Sequence, residues 1–179
     1  KDEIFSFSYF GKIELKKGVY TLLKALKLLS FDNWVFNLDL FEVNDLNYYK
    51  IIKPYLINLK KNKKLKVIKC DHNNINKFMK QTDLAIVPSE WNEQYGRVIQ
   101  ESAACGSIVI GSRVGAIPEI LINDDFIFEQ GNIVSLKNKI EEIFVNYNDL
   151  RIKFNEIENT INLTRAIDTQ AKKISEIFY

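Results

Sequence analysis

The sequence predicts an α/β fold with a doubly wound, mainly parallel sheet in a single domain. Short apolar runs alternate with amphipathic helical patterns along the chain, as in βαβ units. The run at residues 84–87 is continuously apolar, which suits a strand buried on both faces of a parallel sheet. The 179 residues, of which 46% are hydrophobic, suffice for one complete core. We therefore expect one domain over residues 1–179.

The first half of the chain predicts three strands and three helices. The first strand alternates apolar and polar residues from Phe5 to Phe10, and the helix after it carries leucines at helical spacing. Pro54 falls inside the second helix, where we expect it to cause a kink or mark a junction. The predicted strands are 5–10, 34–43 and 65–70, and the predicted helices begin near 17 and cover 46–61 and 74–81.

The second half centres on strand 84–87, a helix from about 95 to 105 that Gly106 stops, and strand 107–110. Together they form a βαβ unit, whose crossover should be right-handed. Two glycines, Gly111 and Gly115, permit positive φ in the loop that follows, where Glu119 has a structural role in a helical first turn. The remaining predicted elements are a brief strand at 126–128 and helices at 133–147, 149–159 and 164–179.

Composition excludes several classes of partner. The 25 basic and 23 acidic residues give a net charge of +2, and the basic run 60–64 has no interleaved aromatic residues, so we expect no nucleic-acid binding. Cys70 and Cys105 lack metal-ligand spacing and are expected to be reduced thiols of a cytoplasmic protein. No apolar run approaches 18 residues. Because the sequence begins at Lys1, we expect it to be a piece of a longer protein.

Two acidic residues flank the central loop and helix start. Glu93 and Glu101 are separated by seven residues, which places them about 10–12 Å apart along a helix. A glycosidase acid/base pair is closer, at about 5–9.5 Å. The spacing better suits two hydrogen-bond acceptors at opposite ends of an extended ligand. Between them, Gly96 lies where free helix amides would bind an anion, an arrangement that fits a nucleotide-diphosphate sugar.

These residues also carry a family resemblance. The stretch PSEWNEQYGRVIQESAACG, which begins at Pro88, is followed by Gly115 and by Pro118-Glu119. Near the N-terminus, Gly11 begins the stretch GKIELKKG. Both resemble the C-terminal domain of family 4 glycosyltransferases (glycosyl transferases group 1), which are retaining enzymes with the GT-B fold. The resemblance implies the Rossmann-like, donor-binding half of that fold.

The resemblance assigns roles to individual residues. Glu93 would accept hydrogen bonds from donor-sugar hydroxyls, Glu101 would hold the ribose, and Lys12 and Lys17 would stabilise the leaving diphosphate. Lys12 replaces the arginine usual in the family and lacks its bidentate fork, which implies looser phosphate contacts. The remaining nucleotide-binding candidates are Gly11, His72, Gln94, Tyr95, Gly96 and Val98. A purely structural interpretation also stands, in which both lysines are solvated surface charges and His72 makes no contact with the base.

The resemblance further implies a donor site completed by an absent N-terminal acceptor domain, toward which the terminal helix 164–179 would pack. The fragment alone would then bind donor and transfer nothing. No metal or cofactor is expected, because lysines and helix amides would replace the cation and the chain has no Asp-x-Asp pair. By analogy the enzyme would build bacterial surface polysaccharide or glycolipid, and peripheral association with the inner face of the plasma membrane stays open.

Rival functions remain on the sequence alone. An NAD(P)-dependent oxidoreductase needs GxGxxG after the first strand, and Gly11-Lys12-Ile13 does not supply it. A GT-B nucleotide-sugar epimerase, a non-catalytic nucleotide-binding module and a structural domain with two incidental glutamates are each compatible with the same residues.

Overall fold

The computed structural model describes residues 4–39, 43, 45–71 and 74–178, with side chains described as far as residue 163. Six strands form one sheet in the order β3-β2-β1-β4-β5-β6, and every neighbouring pair is parallel. The predicted doubly wound α/β fold is confirmed. The strands are β1 (Phe5–Tyr9), β2 (Trp34–Asp39), β3 (Leu65–Ile68), β4 (Leu84–Val87), β5 (Ile108–Ser112) and β6 (Ile127–Phe128).

Seven α-helices cover the sheet in the described part of the chain. They are α1 (Val19–Lys27), α2 (Leu46–Lys61), α3 (Ile75–Met79), α4 (Arg97–Ala104), α5 (Ile117–Leu121), α6 (Ile133–Val145) and α7 (Tyr147–Phe178), with 3₁₀ turns at Leu15–Lys17 and Asp124–Phe126. Helix α2 runs through Pro54 without interruption. None of the helices described is both long and apolar enough to span a bilayer.

Helix α7 corrects the prediction of two separate C-terminal helices. It is one continuous helix of 32 residues. The segment at 160–163 contains neither glycine nor proline, and Ile161 extends the buried stripe formed by Leu150, Phe154 and Ile157. Burial of that stripe against α4 and α6 therefore carries the helix through the predicted break.

Strand β1 is buried on both faces, although its alternating sequence is typical of a half-exposed strand. Its two polar residues are accommodated by hydrogen bonds to the segment before β4. The Ser6 hydroxyl bonds the Asp83 carboxylate at 2.9 Å, and the Ser8 and Thr82 hydroxyls lie 2.7 Å apart. The serines thus tie β1 to the neighbouring element instead of facing solvent.

The strand order reverses between β1 and β4, and this reversal positions the site. In such sheets the loops after the two central strands diverge to opposite faces and leave a crevice at their carboxyl ends. The loop after β1 carries residues 11–18, and the loop after β4 carries residues 88–96. The two sequence motifs therefore meet at one point of the fold.

Candidate functional site

A cavity of about 310 Å³ opens at the carboxyl ends of β1 and β4. Two loops line it, one with Lys12 and Lys17 and the other with Ser89 and Glu93. A larger hollow of about 420 Å³ lies at the opposite, amino end of these strands, but its described lining carries Asp83 and Asp149 and no cation. Carboxylates repel phosphate, so the smaller cavity is the better candidate for an anionic ligand.

The centre of the site is an ion pair between the two loops. Lys17 Nζ lies 2.6 Å from Glu93 Oε2, and the Ser89 hydroxyl donates to the same oxygen at 3.3 Å. The two side chains remain 31% and 24% exposed, so a ligand can reach both. A partly exposed ion pair of this kind contributes little to folding stability. Its groups are therefore available to exchange their mutual contact for contacts with a ligand.

The loop after β5 holds the backbone of Glu93 in place. Ala116 N donates to Glu93 O at 2.8 Å, and Gly115 has φ of +56°. A Cβ on Gly115 would lie 2.5 Å from Glu93 O and 2.6 Å from Glu93 N. Glycine is thus required here by a close backbone approach. The other loop glycine, Gly111, does not have a positive φ, which corrects our expectation. It packs against Ile117 instead.

Gly18 has the corresponding role in the other loop. It ends the turn Leu15–Lys17 and precedes α1 with φ of +68°. A Cβ at Gly18 would lie 1.7 Å from the carbonyl oxygen of Pro88. The backbone that carries Lys17 therefore lies directly on the backbone that leads to Glu93.

Side chains that the sequence reasoning missed fasten the same two loops. The Thr21 hydroxyl donates to Glu90 Oε1 at 2.5 Å, and Glu90 N donates to Lys16 O at 2.8 Å. Gln130 Nε2 donates to Glu90 O at 2.8 Å, and the Ser112 hydroxyl donates to Ser89 O at 2.6 Å. The residues joined by the three side-chain bonds lie 23 to 69 positions apart in the chain, and no local pattern connects them.

The Thr21–Glu90 bond gives a prediction for stability. Thr21→Val removes the hydroxyl at nearly constant volume and leaves a carboxylate without this donor. A hydrogen bond to a charged group contributes about 1.5–3 kcal/mol, so urea unfolding should show a loss in that range. Thr160→Val, which removes an exposed helical hydroxyl bonded to Glu156 O, should change stability by less than about 0.5 kcal/mol. Equal losses in the two variants would contradict the fastening role of Thr21.

Two buried groups near the strand ends have shifted pKa values. Burial raises the pKa of Tyr9 far above its ordinary value, so its phenol stays neutral and donates to Lys12 O at 2.7 Å. Burial, together with the Asp39 carboxylate, raises the pKa of Cys70 to about 12. The Cys70 thiol is therefore protonated at neutral pH and has little nucleophilic character.

The structure brings most of the predicted residues to one place. Those lining the cavity are Gly11, Lys12, Lys17, Glu93, Tyr95, Gly96 and Val98. Gln94 is exposed in the same loop, outside the lining. Glu101 is half-buried on α4, beyond the residues that line the cavity, and its contact with ribose stays a prediction. His72 lies outside the described residues.

Helix α4 begins two residues later than predicted, at Arg97. The reason is Gly96, whose φ of +52° places it outside the helix as its N-cap. Tyr95 is 74% exposed beside it. Among the described residues, no group of three or more His, Cys, Asp or Glu side chains is placed to hold a metal ion.

Comparison with known proteins agrees with this architecture. The chain is 30% identical over 175 residues to an uncharacterised glycosyltransferase of Methanocaldococcus jannaschii, covering 97% of this chain and 44% of that protein. The chain therefore spans less than half the length of this relative.

Two solved structures share the fold. The C-terminal domain of a glycosyl transferase group 1 family protein from Francisella tularensis superposes with a TM-score of 0.76 at 20% identity, covering 92% of this chain and 87% of that one. The Anabaena protein HepE, in complex with UDP and glucose, superposes with a TM-score of 0.83 at 21% identity, covering 96% of this chain and 48% of that one. The domain has the architecture of the Rossmann-like C-terminal domains of GT-B glycosyltransferases.

The family model for glycosyl transferases group 1 matches residues 2–159, which include both loops of the cavity and the Lys17–Glu93 pair. Since this match extends over most of the sequence, the chain belongs to the glycosyl transferases group 1 family.

Proposed function

We propose that this chain is the donor-binding domain of a retaining, family 4 glycosyltransferase that moves a sugar from a nucleotide-diphosphate sugar to an acceptor. The observation that carries the proposal is the Lys17–Glu93 pair, which lies with Lys12 in the cavity where the strand order reverses. The Lys17 ammonium suits a phosphate, and the Glu93 carboxylate suits hydroxyl groups. In a sugar diphosphate, the phosphate and the sugar hydroxyls are adjacent.

In the reaction, the bond between the anomeric carbon and the diphosphate oxygen breaks, and a bond forms from that carbon to the nucleophilic atom of the acceptor. The acceptor's proton leaves with the diphosphate, and negative charge grows on the departing oxygen. Lys12 and Lys17 stabilise this charge, together with the backbone amides of Gln94, Tyr95 and Gly96. Preorganised groups that face developing charge are commonly the largest catalytic contribution. Glu93 meanwhile accepts hydrogen bonds from sugar hydroxyls and orients the ring. Glu101 holds the ribose, while Gly11, Val98 and His72 complete the nucleotide site.

The whole enzyme would include an N-terminal acceptor-binding domain, and the part of α7 from residue 164 onward would pack toward it. The length of the M. jannaschii relative, more than twice the matched part, is consistent with such a second domain. This domain alone would bind donor without transferring sugar. A role in surface polysaccharide or glycolipid synthesis at the cytoplasmic face of the membrane fits the same proposal.

The proposal predicts selective stabilisation by one class of nucleotide. In a thermal-shift panel of UDP, GDP and ADP with their glucose or mannose conjugates, one base should raise the melting temperature. A ligand at one hundred times its Kd should add about 2.7 kcal/mol to the free energy of unfolding. The HepE complexes make the uridine compounds the first to test.

Glu101→Ala should weaken the binding of the active nucleotide, whereas unchanged affinity would remove Glu101 from the site. No response to any nucleotide would contradict the donor-site proposal itself. If the full-length enzyme, given donor but no acceptor, released an epimer of the donor sugar, an epimerase function would replace the transferase function.

A further inference from the structure

Arg97 is a charged residue that lines the cavity, and the proposed function assigns no role to it. It is the first residue of α4 and lines the cavity together with Lys12 and Lys17. Within the described part of the chain, its guanidinium makes no hydrogen bond or ion pair, and the side chain is exposed. A cation in the first turn of a helix opposes the helix dipole. The position of Arg97 therefore does not serve the stability of α4.

The charges around the cavity are unbalanced. Three cations line it, whereas Glu93 is the only carboxylate among the described lining residues, and that carboxylate is already paired with Lys17. An anionic ligand can enter without displacing any described partner of Arg97. By contrast, it must compete with Glu93 for the Lys17 ammonium.

The three cations also differ in what they can bind. A lysine ammonium acts as a point charge, whereas the planar guanidinium donates two parallel hydrogen bonds to two oxygens of one phosphate. Among these lining residues, Arg97 alone can make this bidentate contact. Arg97 directly follows Gly96 in the chain and lines the same cavity, so it lies beside the loop amides that the proposed function assigns to the diphosphate.

We propose that Arg97 binds the diphosphate of the nucleotide by bidentate contact with the non-bridging oxygens of one phosphate, and so supplies affinity for diphosphate over the bare nucleoside. The inference rests on the proposed donor site and adds a binding residue to it. A carboxylate on the donor sugar would offer a similar pair of anionic oxygens, so the test includes both chemistries.

The test is calorimetric titration of this chain with UDP and with UDP-glucuronate, and NMR titration with uridine, for the wild type, Arg97→Met and Arg97→Lys. We expect Arg97→Met to raise the Kd for UDP about tenfold or more and to leave uridine binding unchanged. Arg97→Lys keeps the positive charge but lacks the planar guanidinium, so it should retain only part of the affinity for UDP that Arg97→Met loses. Thermal unfolding without ligand should be unchanged or slightly higher in Arg97→Met.

Four results would overturn the inference. A Kd for UDP within twofold of wild type in Arg97→Met, with Lys17→Met clearly weakened, would leave the donor site intact and remove Arg97 from it. Loss of affinity for UDP-glucuronate alone would assign Arg97 to a sugar carboxylate. Equal weakening of uridine and UDP would assign it to the nucleoside. If the wild type binds none of the three compounds, the uridine-based donor site fails together with the inference.

Discussion

Gly18→Ala should lower the free energy of unfolding by roughly 2–5 kcal/mol and separate the two loops of the cavity. The left-handed φ of +68° costs a residue with a Cβ about 1–2 kcal/mol. Overpacking adds about 1–3 kcal/mol, because the new methyl would lie 1.7 Å from the carbonyl oxygen of Pro88. Backbone cannot yield as a flexible side chain does, so the loops must move apart. Urea unfolding measures the loss.

Gly131→Ala is the matched control. Gly131 has a nearly identical φ of +66°, but a Cβ there meets nothing within 4 Å. The loss in free energy of unfolding in Gly131→Ala should stay near the backbone contribution of about 1–2 kcal/mol. The difference between the two variants isolates the contact with Pro88. Were both alanine variants equally stable, the close approach of the two loops would not exist in solution.

Lys17→Met should raise the Kd of the nucleoside diphosphate that this chain binds by about 10-fold to 100-fold. A charge-assisted hydrogen bond contributes about 1.5–3 kcal/mol, and every 1.4 kcal/mol is a factor of ten in affinity. The free energy of unfolding should change by less than about 1 kcal/mol, because the Lys17–Glu93 pair is partly exposed. Titration calorimetry and urea unfolding of the same preparation separate the two effects.

Lys16→Met is the control for this variant. Lys16 is the preceding residue of the same turn, its side chain is 56% exposed, and its carboxylate partner is Glu14 rather than Glu93. It removes the same charge from the same loop without removing a group from the cavity. We expect at most a twofold change in Kd. If both variants weakened nucleotide binding equally, Lys17 would act only through the overall positive charge of the loop.

The sequence was most informative where local pattern and fold agree. The apolar run of β4, the helix pattern of α4 and the glycine after it predicted the central βαβ unit, and the structure contains it. The motif residues Lys17 and Glu93, 76 positions apart, were assigned to one site and lie 2.6 Å apart. A parallel sheet brings the ends of neighbouring strands together, which is why separate motifs could be joined without coordinates.

What could not be predicted depends on contacts between distant segments. Gly18 and Gly115 are visible as glycines, but only the structure shows that each lies against backbone of the loop that carries Glu93. Thr21 and Glu90 carry no recognisable pattern, although their bond joins the two loops. The prediction of a break in α7 was wrong for the same reason, since burial of its apolar stripe against α4 and α6 carries the helix through that segment.

The fastening of the loops also affects how a ligand would associate. The bonds from Ser112 to Ser89, from Ala116 to Glu93 and from Thr21 to Glu90 hold the polar groups of the cavity by contacts within the protein itself. A ligand then loses its own translational freedom on docking but orders little of the protein, so little conformational entropy opposes complex formation. We therefore expect association governed by diffusional encounter, with affinity differences among variants expressed mainly in the dissociation rate.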